Sequence, residues 1–527
     1  MDKEKTFTTQ ETWLHRLILI LITIQPLIDL DYLVYDWLNQ YGLPRPSTVM
    51  RFVILPVLII AAYFIHDKNK KRTGILAGIY AVLFAVYFYL HDKQAAGLVE
   101  RLDFTDNFQY SRWGELTYCL TLLAPVVFIY AIYHEHFSMK ELKNMVLFES
   151  GIISVPIVLG DLYVFGVSTY YGNTVGNIFT WFDDIYQWYH PRTLASKFFF
   201  NEGNTIGILL FMILPLLYYF FSISETKKEK RNIFILIVVQ SFAMQMLATR
   251  VATYGAVVVP GLFLVLYALD HLFAHKAKMA GNVVIGCLAA LAVFALLLPR
   301  TPAVENQHVD AVNDTALLHN GIAAESLARM EEAKDLIPGT PEYINFYVFM
   351  FEAYGINGRY IQSVPSQYYT KYYSYQHDPK FWVDVMNMDV YDRVNGRQIE
   401  TIFTKYKYQN LTSAEKILGM GYSTFNAGSI VLERDFVMQV YLLGYAGELL
   451  LLGPWVALVL YGVVMFLKYH REMLTLENVI LAVSLGAGMG SAYLSGHMLD
   501  QFVTTVFAAL LTAILLNHIA EAKKCHR

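Results

Sequence analysis

Residues 281–299 read Gly281-Asn-Val-Val-Ile-Gly-Cys-Leu-Ala-Ala-Leu-Ala-Val-Phe-Ala-Leu-Leu-Leu-Pro299, and Arg300 then opens a polar stretch that lasts to Asp435. As a helix this uncharged run is about 28 Å long, close to the roughly 30 Å hydrocarbon core of a bilayer. Inside that core no water satisfies a bare backbone, so such a run must be helical. Similar runs lie near 15–33, 50–66, 73–91, 113–133, 146–167, 204–222, 232–249, 252–273, 436–467, 477–495 and 499–517, which makes twelve expected spans. With 56% hydrophobic and only 16% charged residues in 527, the chain is neither an ordinary soluble enzyme nor disordered. The expected fold is an all-α polytopic membrane protein. Its segments are helices one to nine over 1–299, a loop domain over 300–435, and the last three helices with a tail over 436–527.

Charge sets the expected orientation. Threading the chain through twelve spans gathers Lys68, Lys70, Lys71, Arg72, Lys140, Lys143, Lys227, Lys228, Lys230, Arg231, Lys276, Lys278, Lys468, Arg471, Lys523, Lys524 and Arg527 on one side. The positive-inside rule makes that side the cytoplasm, with both termini there, and puts 92–112, 168–203 and 300–435 outside. Lys3, Lys5 and Arg16 flank the start of the first span, but no small-residue cleavage site follows it, so it reads as a retained helix. A net charge of -4 without a long basic stretch gives no reason to expect a nucleic-acid partner. Cys119, Cys287 and Cys525 are too scattered for a disulfide framework or a metal cluster.

The outer stretch carries Tyr347, Phe349, Tyr354, Tyr360, Tyr368, Tyr369, Tyr372, Tyr373, Tyr375, Phe381 and Trp382, too aromatic for a disordered linker. Such rings suit either stacking on sugar faces or a small aromatic core at the interface. Short helices are expected around Gly321–Asp335 and Arg397–Tyr408.

Several motifs fall at outer helix ends. Lys197-Phe-Phe-Phe-Asn-Glu-Gly-Asn-Thr-Ile-Gly-Ile-Leu-Leu210 leads into a span and puts Asn204 at its mouth, where it can cap the helix or help bind an anion. Ala248-Thr-Arg-Val-Ala-Thr-Tyr-Gly255 places Arg250 between two apolar spans. An arginine there needs a partner or a task, unless it snorkels to lipid headgroups. Further on come Val394-Asn-Gly-Arg-Gln398, Ile417-Leu-Gly-Met-Gly-Tyr-Ser-Thr-Phe425, Glu433-Arg-Asp-Phe436 and Gly444-Tyr-Ala-Gly447, whose glycines allow tight turns and close backbone approach.

Taken in order, the Asn204 helix entry, the Thr249-Arg250 turn, the Asn-Gly-Arg397 element, the Leu-Gly-Met-Gly-Tyr422 turn and Glu433-x-Asp435 ahead of Gly444-x-x-Gly447 resemble the bacterial O-antigen ligase and polymerase-like family of membrane glycan transferases. The first five spans resemble it in layout and in Gln25-Pro-Leu-Ile-Asp29. The resemblance implies a GT-C-like helical fold and an enzyme acting outside the cytoplasmic membrane on polyprenyl-diphosphate-linked oligosaccharide. Its partners would be a glycan acceptor, the lipid bilayer and other polysaccharide-export components. An acceptor hydroxyl attacks the donor's anomeric carbon, and Arg250 and Arg397 receive the leaving diphosphate without a metal or other cofactor.

Ligases of this family usually carry a His-Asn pair where this chain has Glu433 and Arg434. That departure points to Glu433 or Asp435 as the proton acceptor, a feature that resembles polymerase-like members. His190, His319 and His377 are other possible bases, and Arg192, Lys197 and Arg434 can extend a phosphate-binding surface or meet lipid headgroups. Two other functions compete. Asp29-Leu-Asp31 can hold a divalent cation in a polyprenyl-phosphate-sugar glycosyltransferase, or simply mark a helix end. A lipid-linked glycan transporter would show repeated halves and broken helices, and neither is evident in the sequence.

Overall fold

The computed structural model describes residues 9–170, 172–183, 190–273, 279–308, 322–361, 364–393 and 396–525. Among these residues it contains helices and turns, with one isolated bridge between Val167 and Asn173 and no strand. Each of the twelve expected runs is helical. Nine helices among the described residues are long and apolar enough to cross a membrane, and a tenth counts if Thr12–Thr23 and Gln25–Gln40, bent by 58° at their junction, form one span. The remaining two runs are the helices Lys227–Met246 and Leu476–Leu494. The first opens with six polar or charged residues and ends among Gln240, Ser241 and Gln245. Glycine, serine and the Glu477-Asn478 pair dilute the second.

The chain forms two compact units, one of residues 1–79, 121–306 and 452–527 and the other of residues 80–120 and 307–451. In the first unit the helix Gly203–Ile223 packs against Leu476–Leu494, Arg250–Phe273, Lys227–Met246 and Met139–Leu162. It and Phe502–Cys525 are buried along nearly their whole length. Up to Leu516 in the second, both are mainly apolar on every side, which suits the middle of a bundle. Neighbouring backbones come close because small residues face it. A Cβ on Gly255 would lie 2.6 Å from Phe211 Cδ2, and one on Gly488 2.5 Å from Met212 Sδ. Close backbone approach of this kind holds helices together in lipid, where apolar burial alone gives no preference.

In the second unit the two short helices expected from sequence appear as Ile322–Arg329, continued by a 3₁₀ turn over Met330–Asp335, and as Gly396–Gln409. The aromatic residues form a core. Tyr347, Tyr354, Tyr360, Tyr368, Tyr369, Tyr373, Phe381 and Trp382 are buried, whereas Phe349 is exposed. Of the two uses expected for these rings, the structure shows the core.

Lys407 enters this core from the helix Gly396–Gln409. Its Nζ donates to Leu102 O at 2.7 Å, Asp103 O at 3.1 Å and Tyr373 Oη at 2.9 Å. The ammonium also lies 4.8 Å from the Phe104 ring centroid and 4.7 Å from that of Tyr373. The carbonyls it ties down follow the helix Lys70–Arg101, whose last turns have no further intrahelical donors. Burial lowers the Lys407 ammonium to about 8, against the opposing pull of Asp378 and Asp103.

The two glycine motifs meet in this unit. The helix Val437–Gly447 is broken at Gly444, which has φ 71° and ψ 174°. The loop 418–421 lies against the break, with Met420 N donating to Tyr441 O at 3.1 Å and Gly421 N to Leu442 O at 2.8 Å. Tyr87 Oη donates to Leu443 O at 2.8 Å. A Cβ on Gly419 would fall 2.4 Å from Leu442 O, and one on Gly444 2.3 Å from Ile417 O. This break and the 58° bend after Thr23 correct the expectation of unbroken helices. The break at Gly444 is filled by protein donors.

Two stability measurements follow. Gly444→Ala adds left-handed strain to a backbone clash and should cost at least about 3 kcal/mol in detergent unfolding, while Gly462→Ala, whose Cβ meets nothing within 4 Å, should be neutral or slightly stabilising. Lys407 has a folded value of about 8 against an ordinary 10.5, so the unfolded chain binds the extra proton and this residue's contribution to stability rises as pH climbs across that window. Lys407→Met should abolish that part of the rise when the two proteins are unfolded at pH 7.5 and pH 9.5.

Candidate functional site

In the first unit, the turn that carries Arg250 is bolted to the segment 168–200. The last carbonyls of the helix Lys227–Met246 and of the following turn need donors. Ser196 N donates to Met246 O at 2.9 Å, Thr169 Oγ1 to Leu247 O at 2.6 Å and Tyr170 Oη to Ala248 O at 2.8 Å. Ala248 is left-handed with φ 58°, and Thr249 is buried with its Oγ1 accepting from Ala252 N at 3.4 Å. A Cβ on Gly207 would lie 2.6 Å from Thr249 Oγ1, so glycine there makes room for the turn. Arg250 opens the helix Arg250–Phe273 and is exposed, with no ion pair among the described residues. It therefore presents a permanent charge at a helix N-terminus, where the dipole also favours anions.

Arg192 is linked to this turn through Tyr170. Its guanidinium lies 5.7 Å from the Tyr170 ring centroid, and its Nε donates to Asn306 Oδ1 at 2.9 Å. The hydroxyl of that tyrosine holds Ala248 O, so one ring links Arg192 to the Arg250 turn. Lys197 is half-buried, burial lowers its ammonium, and its Nζ donates to Asn201 O at 2.7 Å. Asn204 departs from expectation. The helix starts at Gly203 with Glu202 in the cap position, so Asn204 lies within the first turn and caps nothing. A Cβ on Gly203 would lie 2.5 Å from Thr169 Cγ2, so the first residue of the helix has no room for a side chain.

In the second unit, Arg397 stands in the first turn of the helix Gly396–Gln409 and forms an ion pair with Glu433. The Arg397 side chain is 41% exposed and that of Glu433 27%, so the pair is open to a ligand. Tyr368 Oη donates to Glu400 Oε1 at 2.7 Å, and burial, then the Glu400 and Glu433 carboxylates, push the Tyr368 phenol up. Asp435 is fully buried and accepts from Gln439 Nε2 at 3.2 Å, while that amide also reaches Tyr118 Oη at 3.1 Å. Arg434, between the two acids, is exposed. Phe436 follows in a left-handed conformation with φ 65°. His377 faces the Asp103 carbonyl at 3.1 Å, His190 caps the short turn Pro191–Leu194, and His319 lies outside the described residues. Val394 and Asn395 of the Asn-Gly-Arg element also lie outside them.

Sequence reading missed the support beneath the Leu-Gly-Met-Gly-Tyr turn. His91 Nδ1 meets Leu418 O at 2.6 Å and its Nε2 meets Glu115 Oε1 at 2.7 Å. Glu115 also accepts from Tyr422 N at 3.0 Å and Ser423 N at 2.8 Å, and the Tyr118 ring stacks on Tyr422 at 3.6 Å. The signal was a histidine and a glutamate near the ends of otherwise apolar runs. Arg393 was missed too. It is wholly buried over the Tyr360 ring at 4.5 Å, with Nη1 donating to Tyr360 O at 3.0 Å.

Asp29 and Asp31 are already engaged. Arg51 Nη2 donates to Asp29 Oδ2 at 2.9 Å, Arg45 Nε to Asp31 Oδ1 at 3.0 Å, and Ser47 N to Asp31 Oδ2 at 2.7 Å. Guanidinium groups thus balance the acids that a divalent cation would need.

Comparison with curated proteins finds no match to this chain. A family model described as O-antigen ligase like membrane protein matches residues 11–522, nearly the whole length. The helical bundle and its motif turns therefore belong to a member of the O-antigen ligase like family, multi-pass membrane proteins whose chemistry is broadly that of glycosyl transfer.

Proposed function

We propose that this protein joins glycan from a polyprenyl-diphosphate-linked oligosaccharide to a glycan acceptor, as a polymerase or ligase in cell-surface polysaccharide assembly. The family match over residues 11–522 carries this reading. The chain crosses the bacterial cytoplasmic membrane twelve times, with both termini cytoplasmic and residues 300–435 outside.

The acceptor hydroxyl oxygen bonds to the anomeric carbon as the bond from that carbon to the diphosphate oxygen breaks. The hydroxyl proton passes to Glu433, and the polyprenyl diphosphate leaves with its added negative charge. Arg250 and Arg397 receive that charge, because guanidinium forks match phosphate oxygens and stay protonated in a dry site. Arg192, Asn204 and Arg434 add to the anion-binding groups. Glu433 is preferred to Asp435 as base because its side chain is 27% exposed, whereas Asp435 is fully buried. Asp435 instead steadies the strand of chain that carries Glu433, through Gln439. No metal ion enters this scheme.

The test uses purified variants in liposomes with a radiolabelled lipid-linked oligosaccharide. Arg250→Ala and Arg397→Ala should each lower glycan transfer at least about a hundredfold, as loss of one aligned charge stabiliser does. Glu433→Gln should lower the maximal rate more than it weakens donor binding. Wild-type rates in either arginine variant, with protein level and insertion unchanged, would refute the assignment.

A further inference from the structure

Two grooves on the first unit share Leu458, Leu516 and Ile519. One, of about 330 Å³, is apolar and runs between the helices Gly453–Lys468, Leu476–Leu494 and Phe502–Cys525. The other, of about 470 Å³, adds the end of the helix Arg112–Glu135 and is rimmed by Tyr130, Tyr133, Tyr461 and Lys523. We propose that they form a binding site for one anionic phospholipid, its acyl chains in the apolar groove and its headgroup at the Lys523 end.

Length is the first argument. On Gly453–Lys468 the lining runs from Leu458 to Leu467, and on Phe502–Cys525 from Thr512 to Lys523. These are about 14 and 17 Å of helix, half of a roughly 30 Å hydrocarbon core, so the grooves span one leaflet. Charge is the second. Lys523 is exposed and makes no ion pair among the described residues. Across the groove, Tyr130 Oη donates to Asp67 Oδ2 at 3.1 Å, and Asp67 begins a shelf completed by Lys68, Lys70, Lys71 and Arg72. One acid thus sits among five cations, and that acid is engaged by Tyr130. Hydroxyls and ammonium groups at one end and bare aliphatic walls at the other match a lipid phosphate above its chains. The floor is the third argument. Gly462 and Gly486 line the apolar groove, and a Cβ on either meets nothing within 4 Å. The space at each Cβ position is open, so a side chain added there starts in the groove.

This site is independent of the glycan-transfer reading, and its test needs no enzymatic assay. The full-length protein is delipidated in detergent and titrated with phosphatidylglycerol or phosphatidylcholine of the same acyl chains, and bound lipid is counted by native mass spectrometry. Wild type should hold one phosphatidylglycerol and prefer it to phosphatidylcholine. Lys523→Ala should weaken phosphatidylglycerol about fivefold, the effect of one interfacial cation. Gly462→Phe combined with Gly486→Phe should abolish the bound lipid, while Gly151→Phe, another glycine with nothing within 4 Å of its Cβ, should retain it. Equal binding of both lipids, unchanged binding in the double variant or in Lys523→Ala, or a polyprenyl phosphate displacing phosphatidylglycerol would overturn the proposal. If the double variant fails to fold, Lys523→Ala decides alone.

Discussion

A helix broken inside a membrane protein must find donors for the carbonyls it frees, because lipid supplies none. At Gly444 those donors come from the chain itself, through Met420 N, Gly421 N and the Tyr87 hydroxyl. The contact is possible only because neither Gly419 nor Gly444 carries a Cβ, and because each can hold a left-handed backbone. With the break satisfied, the Leu-Gly-Met-Gly-Tyr turn is fixed, and His91 and Glu115 hold its two ends. The segment that follows, through Glu433 and Asp435, re-enters the helix that the break interrupts.

Backbone strain sits beside the motif turns. Phe198, Ala248 and Phe436 are non-glycine residues with φ of 53°, 58° and 65°. Each such conformation costs on the order of 1–3 kcal/mol and persists only where its surroundings determine it. Ala248 is determined by the hydroxyls of Thr169 and Tyr170 on either side of the peptide it joins. These positions precede Asn204, Arg250 and the helix that begins at Val437, so strain accompanies the turns that lead into these three helices.

The sequence made the helices legible because uncharged runs of bilayer length permit little else. Both short helices of the second unit and the glycine pair were legible for similar reasons, since amphipathic spacing and close approach leave marks in the local sequence. Contacts between distant segments left weaker marks. His91 and Glu115 looked like ordinary polar residues near helix ends, and only folding shows that one carboxylate serves two backbone amides and an imidazole. Lys407 looked like one more cation on an amphipathic helix, yet it is 2% exposed within aromatic rings. Those same rings suggested a sugar-facing surface because composition does not tell inward from outward. Asn204 misled by two residues, since the cap position falls at Glu202, within the ordinary uncertainty of a helix start. Arg250 and the Arg397–Glu433 pair were named from local sequence, but their pairing states were not, because an ion pair is a long-range fact.

The central claim is that permanent positive charge at the outer face receives a departing diphosphate. The most direct measurement replaces Arg250 and Arg397 singly by cysteine in a background lacking Cys119, Cys287 and Cys525, and labels intact cells with a membrane-impermeant maleimide. Both cysteines should react from outside, and added polyprenyl-diphosphate oligosaccharide should slow the reaction at each. Labelling of either site only after the membrane is permeabilised would put that residue on the inner face and contradict the account.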